Sequence, residues 1–461
     1  MTLSKTIFKA YDIRGIVDET LTAEAVTQIG QAIGSLAFER NVNTIVVGRD
    51  GRLSGERLQN ALTDGITRAG IHVIDIGMVP TPVVYFATRQ LQTGSGIVVT
   101  GSHNPPQYNG LKMMLAGETL YGATITDLYE RIVGNRLHTA TTQGTVTQRD
   151  MLSDYVEAIV ADVQLARPIH VAVDCGNGVG GVIASTLLKR LGCTVTELFC
   201  DVDGHFPNHH PDPAEPHNLI DLQNTLRTSD AEIGLAFDGD ADRLGVVTKD
   251  GQIIYPDRQM MLFAQDILSR IPNATVIYDV KCSAYLPKYV TQYCGQPLMW
   301  KTGHSLMKAK LKETQAAFAG EMSGHLYFND RWGGLDDGLY AAARLLEIIS
   351  RAPNEVAVTL LLNDLRQGMS TPEITVRLAE GEGYAIMSIL APTASFKDAA
   401  LSTVDGLRAD YADGFGLVRA SNTTPALVMR FEANDALGLQ RIQNEFKKLL
   451  CGVKPDINLP F

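Results

Sequence analysis

The chain has 461 residues, of which 45% are hydrophobic and 20% are charged, and its formal net charge at pH 7 is −11. These proportions are ordinary for globular proteins and supply enough apolar side chains for several domains. Because nucleic-acid binders usually carry a basic face, the acidic balance argues against nucleic acid as a partner. No apolar run is long enough to span a bilayer and the N-terminal segment lacks a signal-peptide pattern, so we expect a cytoplasmic protein without a membrane partner.

The chain contains six cysteines, and none of them are spaced as C-x-x-C. This spacing argues against a zinc ribbon and against a thioredoxin-type redox motif. In a chain of this length we expect reduced and mostly buried thiols, as in other cytosolic proteins. The six are Cys175, Cys193, Cys200, Cys282, Cys294 and Cys451.

Helix and strand patterns alternate from the start of the chain. A helix is predicted over residues 23–38, with Thr22 as its N-cap. Strand TIVVG, a helix beginning at Ser54, and strands IHVIDIG and GIVVTG follow it with short loops between them. This alternation predicts an α/β protein with a largely parallel sheet. The buried face of the first helix is predicted to consist of Val26, Ile29, Ile33 and Leu36.

The same pattern restarts at HVAVDCGNGVGG and again at ATVIYDV, which predicts three related α/β domains with mostly parallel mixed sheets. From about residue 366 the pattern changes to strands TVRL, FGLVRAS and ALVMRFEA, which predicts a smaller C-terminal α+β domain. We place the four domains at residues 1–150, 151–252, 253–365 and 366–461. The last helix is expected to bury Leu437, Leu439, Ile442, Phe446 and Leu450.

The segment GLAFDGDADRLG has the clearest chemical pattern, since Asp238, Asp240 and Asp242 alternate with small residues after an apolar strand. In an extended loop, alternate side chains share a face, so the three carboxylates would converge and repel one another unless a cation lay among them. A site of oxygen ligands suits Mg²⁺. An EF-hand is excluded because Arg243 and Lys249 occupy its glycine and glutamate positions. The alternative is a solvated acidic turn.

In VVTGSHNPPQYNG, an apolar strand ends at a glycine and Ser102, and two prolines follow. A serine held at such a turn is exposed on rigid backbone and can act as a nucleophile, although Ser/Asn turns are also common without function. The segment is not the G-x-S-x-G elbow of hydrolases, because Asn104 stands where that motif has glycine. A hydroxyl beside a Mg²⁺ site would indicate phosphoryl chemistry.

Two further polar loops lie at predicted strand ends, and each could also be a simple turn. In FAGEMSGHLYF a carboxylate could accept hydrogen bonds from two neighbouring hydroxyls of a polyol. The candidates in that loop are Glu321, Ser323 and His325. In VRASNTTPALVMRF a guanidinium, several hydroxyls and turn amides could hold a phosphate. The candidates in that loop are Arg419, Ser421, Asn422, Thr423 and Thr424.

Two other patterns are expected to be structural. CGNGVGG matches the dinucleotide-binding spacing G-x-G-x-x-G, but no clear acidic residue follows at the second strand end, so we interpret it as a tight strand-to-helix turn. The histidines of HFPNHHPDPAEPHN are separated by prolines and form no helical i, i+4 pair, so a rigid loop is favoured over a metal site. These histidines are His205, His209, His210 and His217.

Taken together, the motifs resemble those of the α-D-phosphohexomutases, and within them the bacterial phosphomannomutase/phosphoglucomutase group. The resemblance extends over nearly the whole chain through KAYDIRG, GRDGRLSG, TGSHNPPQYNGLK, FPNHHPDP, DGDADR, GEMSGH and RASNTTP. The GEMSGH and RASNTTP versions favour this group over the related phosphoglucosamine mutases. The resemblance implies four domains around a central active-site cleft, with Ser102 carrying a phosphoryl group.

The resemblance also implies the roles of individual residues. One Mg²⁺ would be bound by Ser102, Asp238, Asp240 and Asp242. The phosphoserine would be surrounded by Tyr11, Arg14, His103, Lys112 and Arg243, of which Tyr11 also faces substrate. Proton transfer would involve Lys112 and His304. The sugar would contact Lys281, His304, Glu321, Ser323 and His325, with Glu321 and Ser323 on O3 and O4. The substrate's own phosphate would be held by Arg419, Ser421, Asn422 and Thr423.

The implied reaction interconverts the 1-phosphates and 6-phosphates of mannose and glucose. It passes through hexose 1,6-bisphosphate, which serves as both intermediate and activator and turns around in the cleft. Three alternatives stay open from the sequence: a phosphoglucosamine mutase, a non-catalytic sugar-phosphate binding protein and a metal-dependent phosphatase. We expect small phosphosugars as the partners. The sequence does not define the oligomeric state, and a monomer is favoured.

Overall fold

We analysed a computed structural model, which describes residues 3–352, 358–363, 365, 368–422 and 424–461. The chain forms two compact units. The first unit comprises Met1–Pro256 and Ser323–Asn363, and the second comprises Asp257–Met322 and Asp364–Phe461. Within the described residues, no helix is both long enough and apolar enough to cross a membrane.

The first part of the chain forms a mixed sheet. Thr22 caps the first helix by accepting a hydrogen bond from the Ala25 amide at 3.2 Å, as its position predicts. The strands are β1 (Ile13–Ile16), β2 (Thr44–Arg49), β3 (His72–Met78), β4 (Gly96–Val99), β5 (Tyr108–Leu115), β6 (Glu118–Thr119) and β7 (Val146–Gln148). The helices are α1 (Ala23–Glu39), α2 (Gly55–Arg68), α3 (Thr81–Gln90) and α4 (Ala123–Val133), after a 3₁₀ turn at Lys5–Ile7.

In this sheet the strand order is β1-β5-β4-β2-β3-β7, and β6 pairs with β5. Strands β4, β2, β3 and β7 run parallel, whereas β5 is antiparallel to both β4 and β1. The apolar face of α1 packs with α2 into a hydrophobic core. The carboxyl end of β4 leads into residues 100–107, which we call the serine loop.

The next part of the chain forms a second sheet in the order β12-β11-β10-β8-β9. Its strands are β8 (His170–Asp174), β9 (Thr194–Leu198), β10 (Ile233–Phe237), β11 (Leu244–Thr248) and β12 (Ile253–Ile254). Its helices are α5 (Leu152–Asp162), α6 (Ala184–Arg190) and α7 (Ile220–Thr228), with 3₁₀ turns at Val179–Val182 and Pro216–Leu219. Since β10 and β11 form an antiparallel hairpin, the acidic motif is the connection between them.

The third part of the chain contributes elements to both units. In order, these are α8 (Pro256–Arg270), β13 (Thr275–Asp279), α9 (Tyr285–Gln292), β14 (Gln296–Trp300), α10 (His304–Thr314), β15 (Phe318–Gly320), β16 (Leu326–Phe328), α11 (Gly338–Ser350) and α12 (Val358–Asn363). Within the second unit, β14, β13 and β15 are parallel neighbours. The elements β16, α11 and α12 belong to the first unit.

The C-terminal part is an antiparallel sheet in the order β17-β22-β21-β20-β19, with β18 also paired to β22. Its strands are β17 (Met369–Ser370), β18 (Ile374–Arg377), β19 (Ala400–Ser402), β20 (Leu407–Tyr411), β21 (Gly414–Ala420) and β22 (Ala426–Ala433). Its helices are α13 (Glu382–Thr393) and α14 (Ala436–Val453). The predicted fold class, with three α/β sheets and a smaller α+β part, is therefore confirmed.

One prediction for the last helix is wrong. Ile442, Phe446 and Leu450 are buried as predicted, but Leu437 is 79% exposed. The buried residues are spaced by four positions and share one face of α14. Leu437 lies five residues before Ile442, about 140° around the helix from it. The side chain therefore points to solvent in the first turn, which Asp435 caps through the Gly438 amide at 2.8 Å.

Candidate active site

The serine loop begins where β4 ends, and its backbone is fixed by Asp50. One carboxylate oxygen of Asp50 accepts hydrogen bonds from the Thr100 hydroxyl at 2.8 Å and the Gly101 amide at 3.0 Å. The Ser102 amide in turn donates to the Thr100 hydroxyl oxygen at 2.8 Å. Ser102 has a φ of 48°, a left-handed conformation that few residues other than glycine adopt. The nucleophile candidate is thus held in a defined and uncommon conformation.

The carbonyl groups after Ser102 converge on the guanidinium of Arg52, which is 3% exposed. Nη2 of Arg52 donates to the carbonyl oxygens of Ser102 at 2.7 Å and Asn104 at 2.5 Å. Nη1 donates to those of Pro105 at 2.7 Å and Tyr108 at 2.9 Å. One buried side chain therefore fixes the whole loop, in addition to the stiffness that the two prolines provide.

Residues 238–243, which we call the acidic loop, connect β10 to β11. The carboxylates of Asp238, Asp240 and Asp242 in this loop are fully buried. One oxygen from each lies within 4.8 Å of the others. The loop is a turn and not the extended segment predicted, since Ala241 has a φ of 59°. Oδ1 of Asp238 accepts hydrogen bonds from the amides of Asp242 at 3.1 Å and Arg243 at 3.2 Å. The carboxylates converge because the chain curls around Asp238.

The serine loop and the acidic loop are in direct contact. The Ser102 hydroxyl donates a hydrogen bond to Oδ2 of Asp238 at 2.8 Å, and its oxygen lies 3.3 Å from Nδ1 of His103. A Cβ atom at Gly239 would lie 2.3 Å from the Ser102 carbonyl oxygen, so only glycine allows the loops to approach this closely. Ser102 and the three aspartates therefore share one buried site.

A single lysine enters the acidic cluster. Nζ of Lys112 donates to Oδ2 of Asp240 at 2.7 Å and also to Oδ2 of Asp242. Burial disfavours the charged lysine, but the neighbouring carboxylates of Asp240 and Asp242 outweigh burial and raise its pKa, so Lys112 carries a charge. Two of the three carboxylates, those of Asp240 and Asp242, thus share the charge of Lys112.

The remaining oxygens of the cluster match what a cation requires. Oδ1 of Asp240 and Oδ1 of Asp242 are buried and have no hydrogen-bond partner among the described residues. Burial, followed by repulsion from those two carboxylates, raises the pKa of Asp238 well above its usual range. Uncompensated carboxylate oxygens in this arrangement are the ligands that a hard divalent cation prefers.

Arg243 and His325 lie beside the acidic loop in the first unit. Nε of Arg243 donates to Nε2 of His325 at 3.1 Å and lies 3.9 Å from Oδ2 of Asp238. Nδ1 of His325 lies 3.2 Å from Asp336 and 3.5 Å from Asp242. Sequence reasoning missed Asp336, for which the acidic pair DD before α11 is the available signal.

Arg14 reaches the serine loop from β1. Its Nη2 donates to Asp12 at 2.6 Å, and its Nη1 donates to the side-chain oxygen of Asn104. Burial, followed by the positive charges of Arg243 and Arg14, lowers the pKa of His103 well below its usual range. Tyr11, which precedes β1, is partly exposed.

The glycine motif CGNGVGG packs against the acidic loop. The Val179 amide donates to the Gly239 carbonyl at 3.1 Å, and a Cβ atom at Gly178 would lie 2.9 Å from the Gly239 Cα. A Cβ atom at Gly181 would lie 1.9 Å from the Cys200 carbonyl oxygen. This close packing gives Gly178 and Gly181 a structural role.

The histidine-proline loop holds the acidic loop from another direction. The Gly239 amide donates to the Pro211 carbonyl at 3.1 Å. Nε2 of His209 lies 3.0 Å from Asp174, and a Cβ atom at Gly176 would lie 3.0 Å from Pro211. The loop therefore helps to position Gly239 through the Pro211 carbonyl.

The other predicted residues are distributed between the units. Ser323 belongs to the first unit, and its hydroxyl is buried without a hydrogen-bond partner among the described residues. In the second unit, buried Glu321 accepts the Gly303 amide at 2.7 Å, directly before His304 begins α10. Nζ of Lys281 donates to Glu373 at 2.8 Å.

The C-terminal loop candidates lie at the end of β21. Nε of Arg419 donates at 3.0 Å to Asp405, which also accepts the Thr302 amide at 3.0 Å. The side-chain oxygen of Asn422 accepts from the Tyr384 hydroxyl at 3.1 Å, a contact that sequence reasoning missed. The hydroxyl oxygens of Ser421 and Thr424 lie 3.0 Å apart, and Thr423 lies outside the described residues.

Models of the phosphoglucomutase/phosphomannomutase family match four successive parts of the chain. Alpha/beta/alpha domains I, II and III match residues 5–138, 153–251 and 255–366, and the C-terminal domain matches residues 373–449. A solved structure of a phosphoglucomutase/phosphomannomutase family protein from Burkholderia thailandensis has a TM-score of 0.94 to this chain, with 54% identity. That match covers 100% of both chains, so the four-part α/β architecture is that of the family.

Two relatives are similar over nearly their full lengths. The phosphoglucomutase of Neisseria gonorrhoeae is 54% identical over 451 residues, which are 97% of each chain. The phosphomannomutase/phosphoglucomutase of Pseudomonas aeruginosa is 52% identical over 462 residues, which cover 100% of this chain and 98% of that protein. The chain belongs to the phosphoglucomutase/phosphomannomutase family and is a mutase, an isomerase that transfers a phosphoryl group.

Proposed function

We propose that this mutase interconverts the 1-phosphates and 6-phosphates of glucose and of mannose through a phosphoserine at Ser102. The observation that carries the proposal is the 2.8 Å hydrogen bond from the Ser102 hydroxyl to Asp238 inside the acidic cluster. A hydroxyl with no role in chemistry would have no reason to be fixed in left-handed backbone against three carboxylates. The names of the relatives from Neisseria and Pseudomonas support these two sugars.

In the proposed site Asp238, Asp240 and Asp242 would hold one Mg²⁺ together with an oxygen of the phosphorylated Ser102. The two buried oxygens without hydrogen-bond partners among the described residues support this assignment. When bound, the ion would offset negative charge on the transferring phosphoryl group.

The protein's own groups would complete the charge balance around the phosphoryl group. Lys112 and Arg243 are cations beside the acidic loop, and Arg14 reaches the serine loop through Asn104. In the first step a free sugar hydroxyl attacks phosphorus and loses its proton, while the bond from phosphorus to the Ser102 oxygen breaks. We assign the proton transfers of this step to Lys112 and His304.

The remaining candidates are assigned to the sugar and to the phosphate that is not reacting. We assign Glu321 and Ser323 to the sugar hydroxyls O3 and O4. We assign the distal phosphate to the loop that carries Arg419, Ser421, Asn422 and Thr423. The hexose 1,6-bisphosphate then turns around, and its other phosphate returns to Ser102. Glucose and mannose differ at C2, so contacts to O3 and O4 alone would not discriminate between them.

The test is a coupled assay with glucose 1-phosphate, mannose 1-phosphate and glucosamine 1-phosphate, with and without a chelator. We expect comparable turnover of the first two, loss of activity with chelator, and loss of activity in Ser102→Ala. Ser388→Ala is the matched control, because that serine is exposed on α13. Mass spectrometry of the purified protein should locate one phosphate on Ser102.

Other outcomes of this assay would overturn the proposal. Free phosphate that accumulates without isomerised sugar would indicate a phosphatase. Preference for the amino sugar would indicate a phosphoglucosamine mutase. Full activity of Ser102→Ala would exclude the phosphoserine.

We further propose that the enzyme acts on small phosphosugars in the cytoplasm.

A further inference from the structure

Two cysteines of the first unit lie next to each other behind the acidic loop. Cys175 directly follows β8, and Cys200 lies two residues after β9. Their sulfur atoms are 3.6 Å apart, with the Cys200 thiol donating to the Cys175 sulfur. Cys175 is fully buried, whereas Cys200 is partly exposed. We propose that Cys175 and Cys200, the Cys175–Cys200 pair, form a reversible redox site that a hydroperoxide oxidises to a disulfide.

The main chain already holds the two cysteines in a suitable arrangement. Asp174 and Leu198 are register partners in parallel strands, and the Cys175 amide donates to the Leu198 carbonyl at 3.2 Å. The Asn177 amide continues the pattern by donating to the Phe199 carbonyl at 2.8 Å. The register places Cys175 beside Phe199, so Cys175 and Cys200 are diagonal neighbours across strands that lie about 4.8 Å apart. The sulfurs need to approach by roughly 1.5 Å to form a bond of about 2.05 Å.

The two thiols have different access to an oxidant, and this sets the order of the chemistry. The partly exposed Cys200 thiolate attacks one oxygen of hydrogen peroxide, the O–O bond breaks, and Cys200 becomes a sulfenic acid as water leaves. The Cys175 sulfur then attacks the Cys200 sulfur, the S–O bond breaks, and a second water leaves. Both thiols lose their hydrogen, and the peroxide receives two electrons.

The disulfide would act on the acidic loop through the turn that begins at Cys175. The Cys175 carbonyl accepts the Gly178 amide at 2.7 Å, and the Val179 amide holds the Gly239 carbonyl at 3.1 Å. On the other side, the Cys200 carbonyl already lies against Gly181, where no Cβ atom would fit. The Cys200 carbonyl has no room to move towards Gly181. We therefore expect the approach of the two sulfur atoms to displace the turn at Cys175, and Gly239 with it.

Gly239 lies between two of the acidic residues, so its displacement moves their carboxylates away from the Ser102 hydroxyl. We therefore expect oxidation to lower mutase activity by about tenfold or more, as when other groups that position metal ligands are disturbed. This consequence rests on the proposed function, whereas formation of the disulfide does not.

The experiment treats the reduced full-length protein with graded hydrogen peroxide and maps peptides without reduction. A peptide pair joining Cys175 to Cys200 and lacking two hydrogens should appear, while activity on glucose 1-phosphate falls and returns after dithiothreitol. Cys200→Ser should keep its activity after the same treatment. Cys294→Ser is the matched control, because Cys294 is an exposed thiol, and this variant should be inactivated like the unmodified protein.

Each other outcome decides against the proposal. Absence of the cross-linked pair at a peroxide dose that already modifies Cys294 would overturn it, and this result does not depend on the folding of any variant. A complete cross-link with unchanged activity would overturn the proposal that the disulfide lowers mutase activity. Equal inactivation of Cys200→Ser would also overturn it. Failure of the proposed function is distinguishable, because the reduced protein would then be inactive before any peroxide is added.

Discussion

Two regions of this molecule bury groups of charges, and they differ in how those charges are balanced. In the second unit, Asp257 accepts Arg430 at 3.1 Å, and Glu432 accepts Arg258 at 3.1 Å, so two acids face two arginines. Ser283 adds a hydroxyl donor to Glu432 at 2.6 Å. We call these residues the paired cluster.

In the first unit, the acidic loop buries three carboxylates beside one lysine, Lys112, with Arg243 at 3.9 Å from Asp238. Burial is as complete as in the paired cluster, but among the described residues the three carboxylates have the positive charges of Lys112 and Arg243 to offset them. A buried ion that its own chain compensates is a structural element, whereas one that is not compensated requires something from outside. Charge balance, and not burial, therefore distinguishes the binding site from the scaffold.

The largest expected effect is that of Asp238→Asn on activity. The change removes one charge from the cation site and weakens the anchor of the Ser102 hydroxyl. We expect turnover of glucose 1-phosphate to fall by at least about 10³-fold. Above the raised pKa of Asp238, thermal unfolding of the cation-free protein should show no loss of stability, because a repulsive charge has gone. Asp230→Asn, at an exposed site, is the control. Near-normal turnover in Asp238→Asn would contradict the distinction between the two regions.

In the paired cluster the same type of change should act on stability. Asp257→Asn leaves Arg430 buried without its partner charge, and breaking a buried ion pair in this way costs about 3–5 kcal/mol. Urea unfolding monitored by fluorescence would measure the change in the free energy of unfolding. A variant that is as stable as the unmodified protein would show that the paired cluster does not stabilise the second unit.

Cation binding to the acidic loop should depend on pH in a defined direction. Burial and repulsion raise the pKa of Asp238 in the cation-free protein, so below that pKa this carboxyl holds a proton that a bound cation must displace. Affinity for Mg²⁺ should therefore rise with pH below that pKa, by up to about tenfold per pH unit. Titration calorimetry at several pH values measures the slope. Asp238→Asn should abolish this dependence, and a flat profile in the unmodified protein would contradict it.

The smallest effect is expected from a substitution that keeps the positive charge and changes only the shape of the charged group. Arg258→Lys retains a cation for Glu432 but loses the planar fork of the guanidinium. We expect a loss of about 1 kcal/mol in the free energy of unfolding, the net contribution of about one hydrogen bond. A loss as large as that of Asp257→Asn would show that geometry, more than charge balance, stabilises the paired cluster.

The sequence predicted the elements best where a local pattern determined them. The helix after Thr22 was found because periodicity and its cap agree. The short edge strands β17 and β19 of the C-terminal sheet gave no comparable signal, since two or three residues are too few to show alternation. Leu437 was misassigned because an apolar residue in a first helical turn need not share the buried face.

For the candidate site, the sequence identified the residues but not the hydrogen bonds that hold them in place. Ser102 and the aspartates were chosen from motifs, yet the acidic loop is a turn because Asp238 binds the amides that follow it. No sequence pattern indicated the clamp formed by Arg52, although Arg52 lies in the motif GRDGRLSG. Its four carbonyl partners belong to a loop about fifty residues further along. Contacts of this kind arise from tertiary structure, and no local pattern encodes them.

The left-handed backbone at position 102 limits which residues could replace the serine. Threonine carries the same hydroxyl, but its branched Cβ makes this conformation a genuine outlier. Aspartate tolerates the conformation better and places a permanent negative charge where the phosphate would lie. The loop thus discriminates between the two common hydroxyl amino acids by backbone shape, and an acidic mimic of the phosphorylated state is compatible with that shape.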